Sequence, residues 1–124
     1  MRFAIAWFVL AAGLLSGAPV PAAETTSGTA AAIEAAIASP DRPESDRAQD
    51  ERRKARDLLE FAGVAPGMRV FDAFSAGGYY TELLSRVVGE RGEVIAYNNA
   101  AYARFAAKGI ATRYTGDRLP NVRQ

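Results

Sequence analysis

The chain has 124 residues with 15 basic and 14 acidic side chains, no histidine and no cysteine. This length holds one small domain, and its near-neutral charge gives no electrostatic case for nucleic acid. Without histidine the commonest general base and metal ligand are missing, so triad hydrolases and zinc enzymes are poor matches and no metal site is expected; without cysteine, stability rests on a packed core alone.

Met1-Arg2 precedes an apolar run from Phe3 to Leu15 that is too short to span a bilayer. Small residues come next, with Val20 and Ala22 at the spacing signal peptidases accept. The segment reads as a signal peptide, residues 1–22, cleaved after Ala22 or Ala23, rather than as a retained membrane anchor. The expectation is an exported protein, periplasmic or secreted, that meets the membrane only in transit.

Residues 23–44 read as a lead-in. Glu24 to Gly28 is polar and small, Ala30 to Ser39 predicts a short helix with Ile33 and Ile37 on one face, and Pro40 and Pro43 prevent that helix from continuing. Ser45 then offers an N-cap for a charged helix from Asp46 to about Ala62, ended by Gly63. Arg47 with Glu51, Asp50 with Lys54 and Arg53 with Asp57 lie four apart, as on a solvated face, with Ala48, Ala55, Leu58, Leu59 and Ala62 opposite. Asp41, Arg42 and Asp46 are candidates for the mouth of a cleft.

Met68 to Phe74 is apolar apart from Arg69 and Asp72, as expected of a parallel strand covered on both faces. After the glycines, Tyr79, Tyr80, Leu83, Leu84, Val87 and Val88 recur at helical spacing, with Thr81, Glu82, Ser85 and Arg86 on the polar side and Gly89 at the end. Glu90-Arg91-Gly92 makes a return into a second strand, Glu93 to Tyr97. Strand, glycine turn, helix and strand within about 30 residues define a right-handed βαβ unit and an α/β fold. A further helix is predicted from Ala100 to Lys108, closed by Gly109, and no element from Ile110 to Gln124.

In such a unit a ligand sits beyond the carboxyl ends of the strands, where the turn's backbone amides and the helix N-terminus meet it. Here the turn is Phe74-Ser75-Ala76-Gly77-Gly78, preceded by Asp72, a carboxylate that must be bonded or paired to be tolerated in a strand. The dinucleotide pattern G-x-G-x-x-G is absent, because Phe74 and Ala76 occupy its early glycine positions. An acid at this place would repel a pyrophosphate and welcome an ammonium or sulfonium, which favours an adenosyl compound. Structural readings of the same residues stand beside this one: Tyr79 and Tyr80 as helix packing, Gly77-Gly78 as a plain tight turn, Asn98-Asn99 as a helix cap.

Val70-Phe71-Asp72-Ala73-Phe74-Ser75-Ala76-Gly77-Gly78-Tyr79-Tyr80-Thr81-Glu82-Leu83-Leu84 resembles motif I of class I S-adenosylmethionine-dependent methyltransferases, and is most similar to a bacterial group of predicted methyltransferases with exported members. The likeness also takes in Ser39-Pro40-Asp41-Arg42-Pro43, the charged helix and Val64-Ala65-Pro66-Gly67-Met68, and spans roughly Ser39 to Asn99. It implies a Rossmann-like methyltransferase fold and S-adenosylmethionine as cofactor. Asp72, Phe74, Ser75, Ala76, Gly77 and Gly78 would hold its methionine part and Asn98 its ribose. Phe74 and Ala76 depart from the glycines that the superfamily prefers, and Asn98 from its usual acid; an asparagine can accept from one hydroxyl but cannot offer a carboxylate's paired oxygens. The fold so implied has more strands than the two predicted here, so residues 45–124 read as an incomplete, truncated domain. The acceptor-binding and catalytic side chains of that fold come from later loops, and no catalytic residue is assigned. Methyl transfer from a sulfonium can proceed by positioning without a base. The alternative is an inactive or fragmentary Rossmann-like module that binds another ligand or a protein.

Overall fold

A computed structural model describes residues 22–124, and the leader read in the first 21 residues lies outside them. Among the described residues, seven helical segments and three short strands make a mixed α/β arrangement. Their order is α1 (Ala22–Ala38), α2 (Glu44–Arg47), α3 (Asp50–Arg53), α4 (Ala55–Phe61), β1 (Arg69–Ala73), α5 (Tyr79–Val88), β2 (Glu93–Tyr97), α6 (Ala100–Phe105), α7 (Ala107–Arg113) and β3 (Val122–Arg123). No helix among the described residues is long and apolar enough to cross a membrane.

The sheet is parallel throughout, ordered β1-β2-β3, with Val70 beside Val94, Asp72 beside Ala96, and Val94 beside Val122. Strand β2 and helix α5 keep the predicted boundaries, and the parallel pairing of β1 with β2 is that of a βαβ unit. Strand β3 is an addition to the predicted elements. It is only two residues long, too short to leave a periodic signal, and its docking rests on Asn121, whose carbonyl accepts from Val94 N at 2.9 Å.

Helix α5 lies between the sheet and α1, with Leu83, Val87 and Val88 buried against Ile33, Ala36, Leu59 and Val94. Its predicted polar side is not solvated: Thr81, Glu82 and Ser85 are all buried. The C-terminal segment covers that side. Asn121 Nδ2 donates to the carbonyls of Ser85 and Gly89, both at 2.9 Å, and Ser85 Oγ donates to Asn121 Oδ1. Glu82, fully buried, takes Arg113 at 2.5 Å, Arg118 at 2.7 Å and Arg86 at 2.9 Å. Burial would push its carboxyl up, but the hydrogen bonds from Arg118, Arg113 and Arg86 outweigh that and hold it below the ordinary glutamate range.

Strand β1 departs from the expectation of cover on both faces. Arg69, Phe71 and Ala73 are exposed, because helix α5 packs on the face to which Val70 and Asp72 turn and no described element covers the other face. The outward side bears a row of aromatic contacts: Phe71 on Tyr97, Tyr97 on Phe74 and Phe74 on Tyr102, with ring centroids 5.9, 6.2 and 5.0 Å apart.

The N-terminal half differs more. Helix α1 runs through the polar lead-in and starts at Ala22 instead of Ala30. The single helix expected from Asp46 to Ala62 is three pieces, with Pro43 and not Ser45 at its start. Both breaks occur where a side chain captures a backbone carbonyl. Gln49 Nε2 donates to Ser45 O at 2.8 Å, and Tyr80 Oη to Arg53 O at 2.7 Å, after which Lys54 turns left-handed at φ 53°. The expected four-apart pairs do not form. Arg42 instead reaches Asp50 through two bonds of 2.7 Å, and Ala48, Leu58 and Ala62 are exposed, so the core stripe narrows to Ala55 and Leu59. The predicted glycine stop holds: Gly63 N donates to Glu60 O and Val64 N to Leu59 O, the paired bonds of a Schellman end, with Leu59 and Val64 buried together.

Truncating Glu82 would leave three guanidinium groups facing one another over a buried site. Glu82→Ala is expected to lower the unfolding free energy by about 3–5 kcal/mol in urea titration, as for other broken buried ion pairs. Because the folded carboxyl titrates below its unfolded value, its stabilisation is complete above the ordinary glutamate range and is lost as pH falls beneath it. Melting temperatures followed from pH 7 downwards should drop there in the parent and less so in Glu82→Gln.

Candidate functional site

The turn after β1 is an alternation of backbone signs. Phe74, Ala76 and Gly78 have φ of 58°, 48° and 83°, so the two positions where the sequence lacks an expected glycine are left-handed all the same. For a residue with a Cβ this costs about 1–2 kcal/mol. The surroundings impose it. Ser75 N donates to Tyr97 O at 3.0 Å, Gly78 N to Ser75 O at 2.9 Å, and Asn98 grips the turn from β2. Its Oδ1 accepts from Ala76 N at 2.9 Å while its Nδ2 donates to Ser75 Oγ at 2.9 Å and Ala76 O at 3.3 Å. Asn98 is therefore a clamp on the turn, and its side-chain acceptor is committed inward. Asn99 caps α6 by accepting from Tyr102 N at 2.9 Å, one of the two roles open to this pair.

The glycines meet the next layer. A Cβ on Gly78 would stand 2.7 Å from Tyr114 Oη, and a Cβ on Gly109 would stand 3.0 Å from Gly77 Cα. Gly109 lies inside α7 and does not end a helix as expected; the break falls at Ala106, and the close approach of the Gly77 backbone explains the glycine at position 109. Arg113, at the end of α7, donates to Gly77 O at 2.9 Å and to Asp46 at 2.6 Å.

Between the turn, α5 and α7 lies a cleft of about 410 Å³ lined by Asp72, Phe74, Ser75, Ala76 and Gly77, together with Tyr79, Tyr80, Asp46, Arg53, Gly109 and Arg113. Five of the seven cofactor-site candidates thus share one wall. Gly78 lies behind it as the N-cap of α5, and Asn98 shapes it without lining it. Of Asp41, Arg42 and Asp46, Asp46 alone lines it; the buried Arg42 is engaged with Asp50 and Ile37 O.

Asp72 is half-buried, and Thr81 Oγ1 donates to its Oδ2 at 2.6 Å. Burial pushes its carboxyl up and the Thr81 bond offsets part of that. No cation pairs with it among the described residues. Tyr79 belongs to the buried core and also lines the cleft; its hydroxyl donates to Asp50 at 2.5 Å, and burial pushes its own titration up. Arg53 lies over the Tyr79 ring, 4.4 Å from its centre.

Arg53, Gly109 and Arg113 join the site without a signal in the sequence. Arg113 lies 67 residues from Asp46, and only the docking of α7 joins them. Compared with family models, curated proteins and solved structures, the chain matches none.

Because Ala76 holds a left-handed backbone, Ala76→Gly relieves the turn and should raise the unfolding free energy by about 1 kcal/mol. Asn98→Ala orphans the Ala76 amide and should lower it by about 1–3 kcal/mol. Urea titration of both variants measures the two opposite shifts.

Proposed function

We propose that the chain is the cofactor-binding part of a Rossmann-like, S-adenosylmethionine-dependent methyltransferase, with the methionine part of the cofactor in the cleft beside Asp72. The observation that carries this reading is a carboxylate at the carboxyl end of β1, lining the cleft beside the glycine turn and ion-paired with no protein cation among the described residues. Such a group suits an ammonium and disfavours a phosphate. The exported location and the incomplete domain belong to the same proposal.

The residues fit the amino-acid end of the cofactor best. Asp72 and the backbone of Ser75 to Gly77 would hold it, with Phe74 beside them. When bound, S-adenosylmethionine supplies a methyl group already activated by its sulfonium. The chain's own part is to position it, with Thr81 Oγ1 holding the Asp72 carboxylate in place. At the ribose end Asn98 is occupied by Ser75 and Ala76, which favours a second reading: a module that binds a smaller ligand without a ribose and without catalysis.

Isothermal titration with S-adenosylmethionine and S-adenosylhomocysteine tests the proposal. Binding should weaken at least tenfold, about 1.4 kcal/mol, in Asp72→Ala. Affinity should also decline on acidification, beginning at a higher pH than for an ordinary aspartate, as the burial-raised Asp72 takes up its proton. Unchanged binding in the variant would remove Asp72 from the site. No binding to the parent protein would end the adenosyl reading.

A further inference from the structure

Four charged side chains line the cleft: Asp46, Arg53, Asp72 and Arg113. Asp46 and Arg113 satisfy each other at 2.6 Å, and Arg113 is further held by Glu82 and Gly77 O. That leaves one carboxylate, Asp72, and one guanidinium, Arg53, each without an ionic partner of opposite sign among the described residues. The wall is thus neutral as a whole but carries one open charge of each sign.

Arg53 is placed rather than merely exposed. Its backbone carbonyl is fixed by Tyr80 Oη at 2.7 Å, its guanidinium is stacked on the Tyr79 ring, and its Nε donates to Gln49 Oε1 at 3.0 Å. Tyr79 is itself anchored through Asp50 to Arg42. A guanidinium resting on a ring keeps its remaining N–H groups in plane for a carboxylate.

From this pairing of open charges we infer that the cleft is a clamp for an α-amino-acid zwitterion, in which Asp72 takes the ammonium and Arg53 the carboxylate. The inference deepens the proposed function, since the methionine end of the cofactor is such a group, and it rests on the same cleft. It adds a specificity determinant: ligands with the nucleoside but without the amino-acid head are excluded from the clamp, and so are simple anions, which Asp72 repels.

The test uses the full chain and three probes: S-adenosylhomocysteine; 5′-methylthioadenosine, which keeps the nucleoside and thioether but has no amino-acid head; and L-methionine, which has the head alone. Titration is followed by calorimetry and, for weak binding, by amide chemical shifts. The expected result is at least tenfold weaker binding of S-adenosylhomocysteine in Arg53→Gln, partial recovery in Arg53→Lys, and no response of 5′-methylthioadenosine to either change. Thermal melts should show both variants folded, destabilised only by loss of the Arg53 side-chain contacts with the Tyr79 ring and Gln49, since the bond from Tyr80 Oη is to the Arg53 backbone.

If Arg53→Gln leaves S-adenosylhomocysteine binding unchanged, or 5′-methylthioadenosine binds the parent as tightly, the clamp is overturned while the adenosyl reading stands. If L-methionine binds and is weakened by Arg53→Gln while S-adenosylhomocysteine does not bind, the clamp stands and the adenosyl reading falls. Binding of neither amino-acid probe overturns both.

Discussion

A single buried carboxylate organises this molecule. Glu82 sits in the middle of α5, wholly removed from water, and is encircled by Arg86, Arg113 and Arg118. Arg113 also reaches Asp46, and Arg118 the carbonyl of Asp41, so one oxygen pair joins the central helix to the α2 region and to the C-terminal segment. Ionising a carboxyl away from water is unfavourable unless its lone pairs are fully used, and here three forks of N–H groups use them. The cleft wall formed by α7 is in place because Arg113 is.

The turn after β1 shows the complementary behaviour, in which local cost is tolerated because the surroundings enforce it. Phe74 and Ala76 hold left-handed backbone without being glycine, kept there by the Asn98 side chain, the Tyr97 carbonyl and the Tyr102 ring. Strain of this sort persists where neighbouring structure over-determines it, and it gathers at ligand sites.

Legibility in the sequence tracked the range of the forces. Gly63, the α5 repeat with Gly89 behind it, and the second strand from Glu93 to Tyr97 are local signals, readable from periodicity and terminators. The breaks near Gln49 and at Lys54 were hidden, since they depend on the Gln49 amide and on a Tyr80 hydroxyl 27 residues away taking carbonyls that a helix would use. Helix α5 presented a polar face that proved buried, because charge pattern alone does not distinguish a solvated stripe from one matched by distant arginines. In the site, the wall from Asp72 to Gly77 was legible as a contiguous segment. Arg53 and Arg113 were not, and the bonds by which Asn98 braces the turn, to residues 22 and 23 positions away, left no local signal.

The contact between Gly77 and Gly109 bears on how the cleft can vary. At this point α7 and the turn are spaced by bare backbone, so the width of the cavity is set by atoms that are not there. One methyl group at position 109 would stand 3.0 Å from the Gly77 Cα and press α7 and the turn apart by a few tenths of an ångström, beside the carbonyl that Arg113 holds. Residue size at position 109, and not charge, therefore bears on the spacing between α7 and the turn.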